Sequence, residues 1–185
     1  LSLVGRRVET PAILNLSLAR SLRSKLPALQ RTATHWQLAY SLDQHGISLS
    51  SLYRQVERKG PCILVVSDEA NHVFGAFLSD PPHPQPGYFG SGECFLWRAI
   101  PSPEGSEVEE VVESFPWTGV NDYCILAEPH FLAVGGGNGR FGLWVDEYLE
   151  KGHTSACPTF GNPELVPGQE GYGTFVCEGL EVWTF

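Results

Sequence analysis

The sequence predicts an α+β fold that is mostly β, with two antiparallel sheets packed as a sandwich and flanked by a few helices. Apolar residues make up 42% of the 185 residues, which is enough for one hydrophobic core. Helical periodicity is confined to residues 1–60, and short extended apolar runs follow from Cys62 onward. Short strands at close spacing, with few helices between them, are typical of a sandwich.

Two helices are predicted in the first sixty residues. Thr10-Pro11 is typical of a helix start, because a capping hydroxyl precedes a proline at the first helical position. Leucines then recur every four residues up to Leu22. A second helix is predicted to begin at Ser48, which is followed by apolar residues at helical spacing. Between the two helices, residues 36–42 indicate a strand.

After Gly60 the sequence predicts a succession of strands. They are expected at residues 62–66, 73–78, 95–100, 111–115, 123–127, 131–134, 140–145 and 174–185. Residues 80–87 contain four prolines and indicate a surface loop. Residues 101–110 contain four acids and two prolines, and we expect this loop to be mobile.

The chain is long enough for one domain, or for one domain with a helical extension. It begins at Leu1 and contains no Met, which indicates a fragment or a processed form. No apolar run is long enough for a transmembrane segment. The five cysteines are dispersed without a CxxC pair, which suits a reducing compartment inside the cell.

The net charge of −9 argues against nucleic acid as a partner, because that function needs a basic face. The charge is unevenly distributed. Residues 1–60 hold nine Lys and Arg against three acids, a charge of +6, and residues 61–185 hold three against eighteen, a charge of −15. The simpler interpretation is a basic segment lying over an acidic body. The alternative is an acidic surface that steers a basic partner.

The glycine run between Gly135 and Gly142 contains a formal GxGxxG pattern. A dinucleotide site requires a helix after the pattern and an acid about 20 residues further on. An aromatic-rich segment typical of a strand follows instead, so we predict a tight connection between strands and no nucleotide cofactor. The six histidines show no HExxH pattern, and no metal site is predicted.

The remaining candidates for chemistry are two acids, one histidine and one cysteine. Glu93 lies among glycines and aromatic residues, where a carboxylate can act as a base or bind turn amides. Asp146 follows the aromatic strand. Cys157 lies in a polar segment four residues after His153, so a redox thiol activated by that histidine is one interpretation. An unreactive loop cysteine is the other.

Ordered motifs extend over most of the chain. They are Tyr40-Ser41 with His45-Gly46 and Ser50-x-x-Tyr53, Gly60-Pro61 leading to Phe74-Gly-Ala-Phe77, Tyr88-x-Gly-x-Gly-Glu93-x-Phe-Leu96, Phe115-x-Trp117-x-Gly119-x-Asn121, the run from Gly135 to Asp146, Cys157-x-Thr159-Phe160-x-Asn162 and Leu180-Glu-Val-Trp183. Over residues 36–185 this series resembles the TLDc domain of the eukaryotic oxidation-resistance proteins. The resemblance thus implies a main domain at residues 36–185, preceded by a helical N-terminal extension at residues 1–35. The resemblance implies a two-sheet sandwich and a role in protection against oxidative stress. It also implies binding to the cytosolic sector of the vacuolar proton-pumping ATPase, in some cases with its detachment.

The resemblance implies a set of partner-binding residues. They are Glu93, Gly135, Gly136, Gly137, Gly139, Arg140, Asp146, Thr159 and Phe160. Loops at the end of a sandwich can present arginine and aromatic side chains to a partner. The structural alternative is that Phe160 fills the end of the sandwich and Arg140 pairs with Asp146.

The expected function is that of a non-enzymatic, monomeric protein-binding module without a cofactor, located in the cytoplasm or, in a second form, in mitochondria. The alternative is a thiol-dependent antioxidant enzyme that uses Cys157 with His153.

Overall fold

A computed structural model describes residues 1–185. The chain forms eleven strands and four helices. In order they are β1 (Ser2–Val4), α1 (Leu16–Arg23), α2 (Ala28–Arg31), β2 (His35–Ser41), α3 (Leu42–His45), α4 (Leu49–Val56), β3 (Cys62–Asp68), β4 (Val73–Leu78), β5 (Phe95–Pro101), β6 (Glu110–Pro116), β7 (Ile125–Ala127), β8 (Phe131–Gly137), β9 (Arg140–Asp146), β10 (Lys151–Ser155) and β11 (Tyr172–Thr184).

The strands form two sheets that share the long strand β11. Along one path the strand order is β6-β5-β4-β3-β11-β10-β9-β8-β7. The first part of β11 pairs with β10, and the later part pairs with β3 and β2. The register shifts between Cys177 and Gly179, where the strand passes from one sheet to the other. We call the sheet from β6 to β11, with β2 and β1, sheet A, and the sheet from β11 to β7 sheet B.

The predicted mostly β fold with antiparallel pairing is confirmed, with one exception. Strand β1 runs parallel to β2, with Ser2 opposite His35. Each of the other pairs is antiparallel, including the β3–β4 hairpin that was predicted from residues 62–66 and 73–78. Helix α4 begins after Ser48, whose hydroxyl accepts a hydrogen bond from the Ser51 N–H, as the sequence predicts.

The main hydrophobic core lies between the two sheets and contains 30 buried residues. Leu64 and Leu96 of sheet A are in this core, together with Leu132 and Leu143 of sheet B. Burial of each such leucine contributes about 1.5 to 3 kcal/mol. Because side chains of both sheets meet in one core, the fold is a sandwich.

A second core of 14 buried residues lies on the other face of sheet A. Leu18 and Leu22 of α1 are buried there with Trp36, Trp97 and Trp183. Helix α1 therefore covers the outer face of sheet A. The outer face of sheet B remains open to solvent, where Tyr172 and Val176 are 39% and 41% exposed.

The first helix begins later than the Thr10-Pro11 signal predicts. The Thr10 hydroxyl donates a hydrogen bond to Asp43, 2.8 Å away, so it is not available to cap a helix. The Asn15 side chain caps α1 instead by accepting a hydrogen bond from the Leu18 N–H at 2.8 Å.

Residues 1–35, the expected helical N-terminal extension, pack against the main domain. Strand β1 extends sheet A, and α1 packs on that sheet. Glu181 of β11 accepts backbone hydrogen bonds from Ile13 and Leu14. The N-terminal segment thus belongs to the same folded unit as the main domain.

Strand β10 was not predicted, since Lys151–Ser155 shows no apolar alternation. Its two neighbours, β9 and β11, hold it in an extended conformation through backbone hydrogen bonds.

The acidic segment, residues 101–110, joins β5 and β6, and the Ser102 N–H donates to the Glu109 carbonyl at 2.9 Å. Its mobility stays a prediction. None of the helices is long and apolar enough to cross a membrane.

Candidate functional site

Three of the motif-bearing segments converge at one end of the sandwich: residues 117–123, 135–139 and 157–162. We call this region the loop end. The β8–β9 hairpin provides its centre, with a tight turn at Asn138 and Gly139, whose φ angles are 55° and 73°. The prediction of a tight inter-strand connection is confirmed.

Gly135 allows the three segments to pack closely. Its φ is 78°, and a Cβ there would lie 2.8 Å from the Cys157 Sγ and 2.8 Å from the Phe160 ring. Its N–H donates to the Cys124 carbonyl at 2.9 Å. Only a residue without a side chain fits between the hairpin and the segment beneath it.

Thr159 joins all three segments through its hydroxyl. It is fully buried. The hydroxyl accepts a hydrogen bond from the Gly136 N–H at 3.0 Å and donates to the Asn121 Oδ1 at 2.8 Å. The Thr159 carbonyl accepts from the Thr118 N–H at 2.9 Å. These bonds satisfy the hydroxyl and the carbonyl of Thr159, so its side chain holds the loop end together and is not available to a ligand.

Phe160 fills the end of the sandwich, which was one of its two predicted roles. It is 2% exposed and belongs to the main core. Asn162, also buried, donates to the Ser155 and Pro163 carbonyls at 2.9 and 2.8 Å. The side chains of the Cys157-x-Thr159-Phe160-x-Asn162 motif therefore face the interior.

The structure does not bring Cys157 and His153 together. Cys157 is 4% exposed, and its thiol donates to the Asn162 Oδ1 at 3.1 Å. Burial raises the pKa of the Cys157 thiol. On β10 the buried Thr154 faces the core, so the adjacent His153 faces the outer side of sheet B, where its ring stacks on Trp144 at 4.9 Å. Cys157 is not in the polar, exposed setting that its sequence neighbours indicate.

His153 carries no charge that could activate a thiol at neutral pH. Burial lowers the pKa of its imidazole. Its Nδ1 atom is buried and has no hydrogen-bond partner. A protonated ring would need an acceptor for that nitrogen, so the neutral form is favoured.

Arg140 and Asp146 lie at opposite ends of β9 and do not pair. They are about 20 Å apart, since a strand rises about 3.3 Å per residue. The exposed Arg140 donates to the Glu170 carbonyl at 3.3 Å, and its guanidinium lies 5.9 Å from the centre of the Tyr172 ring. Asp146 accepts hydrogen bonds from the backbone N–H groups of residues 150 and 151, at 2.9 and 3.2 Å.

The exposed residues of the loop end form a rim around the buried motif side chains. Glu93 is exposed, and its carboxylate makes no hydrogen bond within residues 1–185. Trp117, Val120 and Tyr123 are 37%, 70% and 44% exposed. The Trp117 Nε1 donates to the Asn121 carbonyl at 2.7 Å, which fixes the ring beside Gly92. The rim is the part of the loop end that a partner can reach.

A second surface, on the outer face of sheet B, was not predicted from the sequence. Five rings lie there in contact: Phe131, Phe141, Trp144, His153 and Tyr172. We call them the outer aromatic cluster. The aromatic content of residues 141–145 indicated a strand but not which face its rings occupy. Because β10 was not predicted, the contacts of His153 could not be placed.

No group of three or more His, Cys, Asp and Glu side chains is arranged to hold a metal ion within residues 1–185.

Comparisons with known proteins agree with the motif series. The family model of the TLDc domain matches residues 8–185. A protein named oxidation resistance protein 1 from Podospora anserina is 39% identical, over 96% of this chain and 59% of the relative. Proteins of the same name from Gibberella zeae and Neurospora crassa are 38% and 34% identical, over 99% and 98% of this chain. The chain spans 69% and 66% of the length of these two relatives.

Proposed function

This chain belongs to the TLDc family, and from that premise we propose that it is a non-enzymatic module of an oxidation-resistance protein that acts by binding another protein. The partner we propose is the cytosolic sector of the vacuolar proton-pumping ATPase, and binding regulates the pump by promoting detachment of that sector. The domain acts as a monomer in the cytoplasm. The choice of partner rests on the family resemblance.

One observation carries the non-enzymatic part of this proposal: the motif side chains are used to hold the loop end. The Thr159 hydroxyl and the Asn162 amide are buried, and their hydrogen bonds go to groups of the chain itself. Phe160 fills the core. A catalytic site needs a nucleophile or base that reaches substrate, and these groups do not reach solvent. A rigid end that presents an exposed rim suits binding better than chemistry.

No observation favours the thiol enzyme. Cys157 is buried, its pKa is raised, and His153 lies on the other side of sheet B. A peroxide-consuming thiol needs a low pKa and access to solvent.

The test is a binding assay between this domain and the purified cytosolic sector of the vacuolar ATPase. We expect a complex of the two by size-exclusion chromatography, and a fall in ATP-driven proton pumping when the domain is added to vacuolar membranes. Absence of both effects, together with peroxide consumption that is lost in Cys157→Ser, would replace this proposal with the enzymatic one.

A further inference from the structure

We propose that the outer aromatic cluster is a docking surface for a basic, arginine- or lysine-bearing segment of the protein partner. This inference rests on the proposed function, since it names the surface through which the ATPase sector is bound. It adds a site on sheet B that is separate from the loop end.

The cluster is a continuous layer of rings. Trp144 and His153 stack at 4.9 Å with an angle of 12° between their planes. Phe131 lies 6.1 Å from Trp144 and 5.8 Å from Phe141. Tyr172 extends the layer on the other side, 5.5 Å from His153. Rings from four neighbouring strands thus form one surface rather than scattered apolar residues.

The position of this surface is unusual for a sandwich. An antiparallel sheet that faces water on one side normally carries polar side chains there. The outer face of sheet A is apolar because α1 covers it. The outer face of sheet B carries aromatic rings that are only partly buried, and Tyr172 is 39% exposed. Contiguous exposed aromatic patches mark interaction sites, since rings contribute much binding energy at little cost in conformational entropy.

Charges around the cluster favour a basic partner. The acids are Glu69, Asp146, Glu147, Glu150 and Glu170, and the bases are Arg140 and Lys151. Five acids against two bases leave a local charge of −3. Asp146 lies opposite Phe131 in the sheet, and Glu69 accepts a hydrogen bond from the Val176 N–H at 2.8 Å, which places acids on two sides of the cluster. We call these five acids the acidic border of the cluster. The acidic border attracts cations and repels acidic segments.

The rings can also bind a cation directly. The Arg140 guanidinium already lies 5.9 Å from the centre of the Tyr172 ring. This contact within the chain is the type that an incoming arginine would make with the partly exposed rings of Phe131 and Trp144. The neutral His153 in the middle of the cluster adds no repulsion at neutral pH. An aromatic surface with an acidic border is therefore complementary to a segment that carries arginine or lysine among apolar residues.

The experiment measures affinity between the purified cytosolic sector of the vacuolar ATPase and four variants of the domain. Trp144→Ala removes the central ring, and its control is Leu29→Ala on α2, where the side chain is 76% exposed. The double variant Glu147→Lys with Glu150→Lys reverses two charges of the acidic border. Its control, Glu104→Lys with Glu107→Lys, makes the same change in the exposed β5–β6 loop. Melting temperatures are recorded for all four.

We expect both cluster variants to weaken binding by about tenfold or more and both controls to change it little. The double variant of the acidic border should act mainly on the association rate, and its effect should be smaller at high salt. If Trp144→Ala also lowers the melting temperature strongly, the affinity of the Glu147→Lys, Glu150→Lys double variant tests the proposal, because these two side chains are not in the core.

Two results would overturn the docking surface and leave the proposed function standing: unchanged affinity in both cluster variants, or an equal loss in the controls. Self-association of the wild-type domain that Trp144→Ala abolishes would assign the surface to a second copy instead. If the wild-type domain does not bind the ATPase sector at all, the proposed function and this inference both fail.

Discussion

Arg6 and Glu181 form a buried ion pair that attaches the N-terminal segment to β11. The Arg6 Nε lies 3.1 Å from the Glu181 Oε1, and its Nη2 lies 3.0 Å from the Oε2. The carboxylate is 1% exposed and also accepts hydrogen bonds from the Ile13 and Leu14 N–H groups and from the Trp183 Nε1. Its charge is therefore matched by one guanidinium and three N–H donors. Without them a buried carboxylate is strongly unfavourable.

Replacing Arg6 is expected to destabilise the whole domain. Arg6→Ala leaves the Glu181 carboxylate buried without a counter-charge, and we expect a loss of about 3 kcal/mol or more in the free energy of unfolding. Urea unfolding at neutral pH measures it. Arg7→Ala is the control, because the neighbouring side chain is exposed and makes no ion pair. Equal stability of the two variants would contradict the structural role of the pair.

Gly135→Ala is expected to disturb the loop end. The added methyl meets Cys157 and Phe160 at 2.8 Å, and φ at this position is 78°. We expect a loss above about 1 kcal/mol, because strain and overpacking add. Gly139→Ala is the matched comparison, since φ there is 73° but no atom lies within 4 Å of the new Cβ. Thermal unfolding should show a clearly smaller loss for Gly139→Ala; the reverse order would mean that the packing at Gly135 is not tight.

Cys157 is expected to react slowly with alkylating reagents in the folded protein. Burial raises the pKa of its thiol, so little thiolate is present at neutral pH. The comparison is the same protein unfolded in urea, because the thiol is then no longer buried. Mass spectrometry after brief iodoacetamide treatment should find Cys157 modified in the unfolded protein and largely unmodified in the folded protein. Equally fast modification of Cys157 in the folded protein would support the alternative of a redox thiol.

His153 is expected to make stability fall as the pH is lowered. Burial lowers its pKa in the folded state, so the unfolded chain binds a proton first, near pH 6.5. The contribution of the neutral His153 to the free energy of unfolding is complete above about pH 6.5. It is lost as the pH falls toward the folded-state pKa. Urea midpoints at about pH 7 and about pH 5.5 test this, with His153→Phe expected to reduce the difference.

The exposed His83 is the control for this measurement, and His83→Gln should leave the pH difference unchanged. Some difference will remain in His153→Phe, because burial, with a further effect of Arg7, also lowers the pKa of His45. A pH difference as large in His153→Phe as in the wild type would show that His153 does not contribute.

The sequence predicts the structure correctly where local chemistry decides it. The β3–β4 hairpin and the helix after Ser48 follow from apolar spacing and capping, which act over a few residues. The prediction of a helix start at Thr10-Pro11 is wrong, because the Thr10 hydroxyl donates its hydrogen bond to Asp43, more than thirty positions away. The sequence also does not predict β10, which is extended only because two neighbouring strands pair with it.

The sequence by itself determined the fold class, the glycine-bearing β8–β9 connection and the family motifs, since each depends on residue type and spacing along the chain. Only the tertiary structure decided what faces solvent. Cys157 stands in a polar segment, yet it is buried because Gly135 and Phe160 pack against it. His153 and Trp144 are separated in sequence by a turn, yet they stack because their strands are paired in register. Burial and contact depend on which distant segments meet, and the spacing of residues does not specify that.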